Sequence, residues 1–166
     1  ILAKNHMLTI FTTAKPFLGK SKLIQTNALR SWSFLMPRPQ VILFGDEEGS
    51  AEIASDLGFI HILDVERNEN GVPLVNSMFE IALSVTTNPF LCYANSDVIL
   101  TSGFMNGVQS MRNHTDPFLL LGRSWNAEVN QLWDFTQKNW ESKLMRHVHD
   151  SKGVLPWEGV EYSVFP

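Results

Sequence analysis

PFLCYANSD, the stretch at residues 89–97, joins a short apolar run to three polar residues, Asn95, Ser96 and Asp97. Its apolar part has aromatic side chains and no alternation of polar with apolar residues. This is typical of a strand that is covered on both faces, as strands of parallel sheets are. We therefore predict a buried strand over residues 89–93 in an α/β domain.

Further segments on both sides of this strand follow the same logic. Apolar runs predict strands at residues 7–13, 40–44, 60–65, 118–121 and 160–165. Apolar residues at helical spacing predict helices at residues 22–35, 50–57, 75–85, 103–111 and 130–149. Strands that alternate with helices across short connections indicate βαβ units, and hence a mostly parallel central sheet in a layered α/β domain.

Length and composition indicate one globular domain, residues 1–166, which we expect to be truncated at the C-terminus because it stops within a strand-like run. The formal net charge of -4 gives no general basic field, so nucleic acid is not an expected partner. No apolar stretch approaches the ~18 residues of a membrane segment. Cys92 is the only cysteine, and the lack of disulfides favours a cytoplasmic location.

Polar residues end three of the predicted strands, in the segments 12–15 (TTAK), 45–47 (GDE) and 95–97 (NSD). Right-handed crossovers place the carboxyl ends of parallel strands on the same edge of the sheet, where ligands of open α/β sheets bind. Asn95 and Asp97 alternate after a buried strand, so both side chains can point at one ligand. A carboxylate there suits the divalent cation that a diphosphate requires.

Each strand end also has a simpler structural interpretation. The NSD tripeptide is a common turn composition, because its side chains bond to nearby backbone groups. Asp46 can serve as a turn residue that leads into the next helix. Lys15 can belong to a surface turn with Pro16. Three polar strand ends in this order favour a ligand-binding edge more than any one of them does alone.

Several motifs together resemble a known family. They are TTAKPF (12–17), FGDEEG (44–49), YANSDVIL (93–100), FLLLGRSWN (118–126) and GVEYSVFP (159–166). In this order the first four resemble the nucleotide-binding half of GT-A glycosyltransferases, and YANSDVIL is similar to the strand that bears the DxD motif in family-2-like enzymes. The last two resemble segments of a glycosyltransferase-like group of plants and microbes. The likeness extends over residues 7–166 and implies a three-layer, Rossmann-like nucleotide-diphospho-sugar transferase fold.

The resemblance also implies a reaction, in which a UDP- or GDP-sugar donates its sugar to a hydroxyl acceptor that the sequence does not identify. Thr12 and Thr13 would line the base and ribose pocket, with Lys15 at the same strand end. Asp46 would accept a hydrogen bond from the base. Asp97 would coordinate Mn²⁺ or Mg²⁺ between the two phosphates.

The remaining implied roles concern three residues. Asn95 stands where the first Asp of the DxD motif usually lies, which removes one negative charge and favours a ribose contact. Arg123 is a candidate for binding phosphate or acceptor, or for an ion pair at a strand end. Glu161 is the candidate general base that would deprotonate the acceptor hydroxyl.

The sequence argues against three other classes of enzyme and leaves one main alternative. The chain lacks the G-x-G-x-x-G, P-loop and G-x-S-x-G motifs of dehydrogenases, NTPases and hydrolases. The main alternative is a non-catalytic nucleotide-sugar or carbohydrate-binding module, a degenerate GT-A domain, which Asn95 favours. His147 and His149 fit a helix C-terminus better than a zinc site. Trp125 and Trp157 fall in loops and could stack on a sugar.

Overall fold

The computed structural model describes residues 6–166, which form a six-stranded mixed sheet and five α-helices. The strands are β1 (Leu8–Thr13), β2 (Gln40–Phe44), β3 (Ile60–Ile62), β4 (Phe90–Ala94), β5 (Leu120–Gly122) and β6 (Tyr162–Phe165). The helices are α1 (Gly19–Ser33), α2 (Ser50–Leu57), α3 (Val75–Val85), α4 (Ser102–Ser110) and α5 (Trp140–Asp150). Each helix within residues 6–166 is too short or too polar to span a membrane.

The strands lie in the order β3-β2-β1-β4-β6-β5. β3, β2, β1 and β4 are parallel, whereas β6 runs antiparallel to both β4 and β5. The chain moves outward from β1 to β3 and then crosses back to place β4 on the other side of β1. This reversal creates a topological switch point between β1 and β4, the position at which open α/β sheets bind their ligands. The predicted mostly parallel sheet is therefore confirmed, and its antiparallel part is β6.

Apolar packing covers both faces of the sheet. Ile10 of β1 belongs to a cluster with Trp32 of α1, whereas the neighbouring residue Phe11 belongs to a second cluster with Met78 of α3. Successive side chains of a strand point to opposite faces, so α1 and α3 cover opposite sides of the sheet. Burial on both faces explains why the central strands are continuously apolar.

The predicted helix at residues 130–149 is wrong in its first half, because helix α5 begins only at Trp140. The side chain of Asn27 in α1 forms two hydrogen bonds with the backbone of residues 131–133. Its Nδ2 donates to the Gln131 carbonyl at 2.9 Å, and its Oδ1 accepts from the Trp133 amide at 2.7 Å. Side-chain bonds of this kind compete with helical ones. Phe135, rather than Trp133 or Trp140, is the buried anchor of the segment.

The other predicted elements are present, and their ends move by three residues or fewer. The strand at 40–44 and the helices at 50–57 and 75–85 have the predicted bounds. The helix predicted at 22–35 begins earlier, at Gly19, and β3 stops at Ile62 instead of continuing to residue 65. Clear apolar periodicity therefore located the elements of the central sheet and its covering helices.

Candidate functional site

A cavity of about 680 Å³ lies at the carboxyl edge of β4. Its walls come from α1, the segment after β4, the loop after β5, α5 and the start of β6. The charged side chains that line it are Lys20, Asp97, Arg123, Glu128 and Glu161. The volume falls within the range of pockets that hold small organic ligands.

Sheet topology brings three of the predicted site residues together in this cavity. Asp97 follows β4 and Arg123 follows β5, so both lie beyond the carboxyl end of a strand. Glu161 precedes β6, and β6 is antiparallel to its neighbours. Tyr162 therefore pairs with the last residue of β4, Ala94, and with the last residue of β5, Gly122. The reversed direction of β6 thus places Glu161 at the same edge as the other two.

Glu161 is held at this edge by backbone and side-chain hydrogen bonds. Its amide donates to the Gly122 carbonyl at 2.8 Å, and its carbonyl accepts from the Asn95 amide at 2.9 Å. The side chain of Asn95 also donates from Nδ2 to Glu161 Oε2 at 2.8 Å. Asn95 therefore orients the Glu161 carboxylate, a role that sequence reasoning missed because the two residues are far apart in the chain. The carboxylate keeps further lone pairs with which it can accept a proton.

Burial and a nearby charge raise the pKa values of the phenols around the site. Burial raises the pKa of Tyr93 above its usual value, and the negative charge of Asp97 raises it further. Burial likewise raises the pKa of Tyr162, which lines the cavity. Both phenols therefore remain protonated donors at neutral pH. Burial also raises the pKa of the Cys92 thiol, so this cysteine is not a thiolate nucleophile.

Arg123 contacts the loop between α5 and β6. Its guanidinium donates to the backbone carbonyls of Pro156 at 3.3 Å and Trp157 at 3.4 Å. Within residues 6–166 it takes no part in an ion pair, so the strand-end ion pair that was an alternative for it is not formed. Arg123 therefore lines the cavity and also stabilises the loop between α5 and β6 through these hydrogen bonds.

One face of α1 forms another wall of the cavity. Lys20, Ile24 and Asn27 line the cavity and follow the spacing of a single helix face. Lys20 lies in the first turn, where the helix dipole is positive, and its amino group is 3.9 Å from the carboxylate of Glu128. Both side chains of this pair are mostly exposed to solvent. Sequence reasoning did not single out Lys20, although a cation in the first turn after β1 was a visible signal.

Three predicted residues at the end of β1 lie outside the cavity lining. Thr12 is fully buried, and its hydroxyl donates to the Thr13 carbonyl at 3.2 Å. The Thr13 hydroxyl oxygen is buried and has no hydrogen-bond partner among the described residues. Lys15 is exposed, and the Gln25 side chain bonds both its amide and its carbonyl. Gln25 Oε1 also accepts from Ser96 at 3.3 Å, so it links the turns after β1 and β4 at the switch point.

Asp46 lies at the carboxyl edge of β2, as predicted from the sequence, but its carboxylate is hydrogen-bonded to Arg67. Arg67 donates to Asp46 Oδ1 at 2.8 Å and to Glu47 Oε1 at 2.9 Å. The hydrogen bond that Arg67 donates to Glu47 is the main cause that raises the pKa of Arg67 above its usual value, so this cation is permanent. Asp46 remains 75% exposed, and its second oxygen has no hydrogen-bond partner among residues 6–166, so it can accept from another donor.

The carboxylates suit a cation that is shared with a ligand better than a metal held by protein alone. Among residues 6–166 there is no group of three or more His, Cys, Asp or Glu side chains that could hold a metal ion. Three carboxylates, those of Asp97, Glu128 and Glu161, nevertheless line one cavity. Mg²⁺ is commonly held by one or two carboxylates, with substrate phosphates and water as its other ligands. The donor set therefore fits a metal–diphosphate complex.

The histidine pair near the end of α5 has separate partners. The Nε2 atom of His147 lies 2.7 Å from the Glu128 carbonyl, and His149 lies beside Asp150 at 3.2 Å. Both histidines occupy the last turn of the helix, where a positive charge is favourable. This position explains the pair without a metal.

Comparison with protein-family models gave no match for this chain, and comparison with curated proteins gave none either. The α/β fold, the switch point and the charged cavity are therefore the features that bear on function.

Proposed function

We propose that the chain is a GT-A-type glycosyltransferase domain that binds a UDP- or GDP-sugar in this cavity and transfers the sugar to a hydroxyl acceptor. The observation that supports the proposal most strongly is the convergence of Asp97, Arg123 and Glu161. They come from three separate segments and meet in one cavity at the carboxyl edge of β4. The cavity lies next to the switch point, where the fold favours ligand binding.

The donor would lie with its diphosphate near Asp97 and Lys20. Asp97 would hold Mn²⁺ or Mg²⁺ together with phosphate oxygens and water, and the cation would neutralise the charge of the diphosphate. Lys20 and the amides of the first turn of α1 would attract the same anionic groups. The base would extend toward the ends of β1 and β2, where the exposed side chains of Lys15 and Asp46 offer polar groups.

Glu161 would act as the general base of the transfer. Its carboxylate takes the proton of the acceptor hydroxyl while the hydroxyl oxygen bonds to the anomeric carbon of the sugar. The bond between that carbon and the diphosphate oxygen breaks, and the nucleoside diphosphate leaves with the bonding electrons. Attack opposite to the leaving group inverts the anomeric centre. Asn95 holds the carboxylate in place through its 2.8 Å hydrogen bond.

A non-catalytic nucleotide-sugar-binding module is the second candidate. Asn95 favours it, because an amide stands where a second acidic residue would strengthen cation binding. Both candidates require donor binding, whereas only the enzyme releases the nucleoside diphosphate. A binding module is therefore distinguished by a bound donor that is not consumed in the presence of acceptor.

Thermal unfolding tests the donor site that both candidates share. We expect Mn²⁺ together with UDP-glucose or GDP-mannose to raise the Tm of the chain. Ligand at ~100 times its Kd stabilises a native site by about 2.7 kcal/mol, which corresponds to about 5–10 °C for a domain of this size. Asp97→Ala should lose the rise, because the variant lacks the carboxylate proposed to hold the cation.

Asp56→Ala is a suitable control, since Asp56 is an exposed acid of α2 outside the cavity lining. This variant should keep the full Mn²⁺-dependent rise. A rise of equal size in Asp97→Ala would refute the assignment of Asp97, and the absence of any rise in the unmodified chain would refute the proposed donor site.

A further inference from the structure

Two exposed tryptophans lie beside the cavity. Trp125 lines it and is 50% exposed, and Trp157 is 91% exposed in the loop before β6. A tryptophan side chain gains a large free energy from burial, so a ligand that covers these two exposed rings would be stabilised. We propose that these two rings form the acceptor subsite and that the acceptor is an oligosaccharide. The inference rests on the proposed function, because it names the acceptor for the same site.

Hydrogen bonds hold the two tryptophan-bearing loops together. Asn126 and Val154 exchange backbone bonds of 2.7 and 3.0 Å in an antiparallel bridge. Arg123 donates to the carbonyls of Pro156 and Trp157. The backbone on each side of Trp157 is therefore fixed to the wall that carries Trp125. The exposed rings belong to one supported surface and not to two independent loops.

The surroundings of the rings fit a sugar chain. A pyranose has an apolar face of C–H groups, which stacks on an aromatic ring, and an edge of hydroxyls, which needs hydrogen-bond partners. Around Trp125 the cavity offers Asn126, Glu128 and Arg123 as such partners. Trp125 lies inside the cavity that contains Glu161, and Trp157 lies on the adjoining loop. An extended saccharide can therefore stack on Trp157 while its terminal hydroxyl approaches Glu161.

Calorimetric titration with four hexasaccharides (cellohexaose, mannohexaose, chitohexaose and maltohexaose) tests this subsite without any nucleotide. We expect saturable binding of at least one of them to the unmodified chain. Trp157→Ala and Trp125→Ala should each weaken that binding about tenfold or more, equivalent to about 1.4 kcal/mol. Because Trp157 is exposed, Trp157→Ala should leave the Tm unchanged.

Leu63→Ala provides the control, since Leu63 is an exposed apolar residue that follows β3, outside the cavity lining. It should bind the hexasaccharide as tightly as the unmodified chain does. Failure of all four hexasaccharides to bind would overturn the proposal, and so would unchanged affinity in both tryptophan variants. Loss of self-association in Trp157→Ala, with no saccharide bound, would assign the surface to a second copy of the chain instead.

These experiments distinguish failure of the donor site from failure of the acceptor subsite. Asp97→Ala should lose the Mn²⁺-dependent effect of the nucleotide sugar and keep the hexasaccharide affinity. Hexasaccharide binding without any donor binding would refute the transferase and leave a carbohydrate-binding surface. Donor binding without hexasaccharide binding would leave the donor site standing and refute this subsite.

Discussion

Glu161→Gln should lower the rate of sugar transfer by about 10²–10⁴-fold, the usual contribution of a general base. Glutamine has almost the same shape as glutamate and keeps an oxygen that can accept the hydrogen bond from Asn95. The backbone bonds of residue 161 to Gly122 and Asn95 do not depend on its side chain. The substitution therefore removes the base and preserves the local structure. The rate is measured as nucleoside diphosphate released from the donor in the presence of a bound hexasaccharide.

Glu158→Gln is the matched control for this experiment. Glu158 is an exposed acid three positions earlier, and it does not line the cavity. We expect its variant to release nucleoside diphosphate at the rate of the unmodified chain. Donor binding, measured as the thermal shift, should persist in both variants. A rate in Glu161→Gln close to that of Glu158→Gln would exclude Glu161 as the base.

Gly122→Ala should destabilise the fold and damage the site at the same time. A Cβ atom on residue 122 would lie 1.8 Å from Cζ of Tyr162, far inside any allowed contact. The rings of Tyr162 and Phe104 pack edge to face with their centroids 4.9 Å apart, so the tyrosine cannot move aside freely. Overpacking of this kind costs about 1–3 kcal/mol. We expect a lower urea midpoint, and slower sugar transfer because Glu161, the proposed general base, is adjacent to the displaced tyrosine.

Gly103→Ala distinguishes this clash from a general effect of replacing glycine. Gly103 lies in α4, and a Cβ atom there would meet only Thr101 Oγ1 at an ordinary distance of 3.5 Å. Alanine favours helix over glycine by about 1 kcal/mol, so this variant should be as stable as the unmodified chain or more so. Equal urea midpoints for Gly122→Ala and the unmodified chain would show that the contact with Tyr162 does not constrain the edge.

Local sequence patterns were sufficient for the central sheet, because burial on both faces leaves a continuous apolar run that needs no knowledge of neighbours. The predicted placement of Asp97 beyond β4 followed from the same pattern. The direction of β6 did not, since a strand pattern is the same for parallel and antiparallel pairing. Yet it is this direction that brings Glu161 to the edge of β4.

Long-range hydrogen bonds explain most of what the sequence did not reveal. Asn27 blocks a helix at residues 130–139 from more than a hundred positions away, so the periodicity of that segment was misleading. Asn95 looked like a variant metal ligand in its tripeptide, whereas its side chain donates to Glu161, 66 positions downstream. Asp46 looked available to a base, and Arg67 from a later loop engages it.

Broadening of backbone amide NMR signals by Mn²⁺ would locate the cation on the chain directly. In the presence of UDP-glucose or GDP-mannose, we expect the strongest broadening at Asp97 and its neighbours, at Arg123 and at Glu161, all of which line the cavity. Signals of β3, the strand at the far edge of the sheet, and of α2, which packs against β3, should stay sharp. Broadening centred on Asp46 and Glu47, or no localised broadening with either nucleotide sugar, would contradict a metal–diphosphate site at the edge of β4.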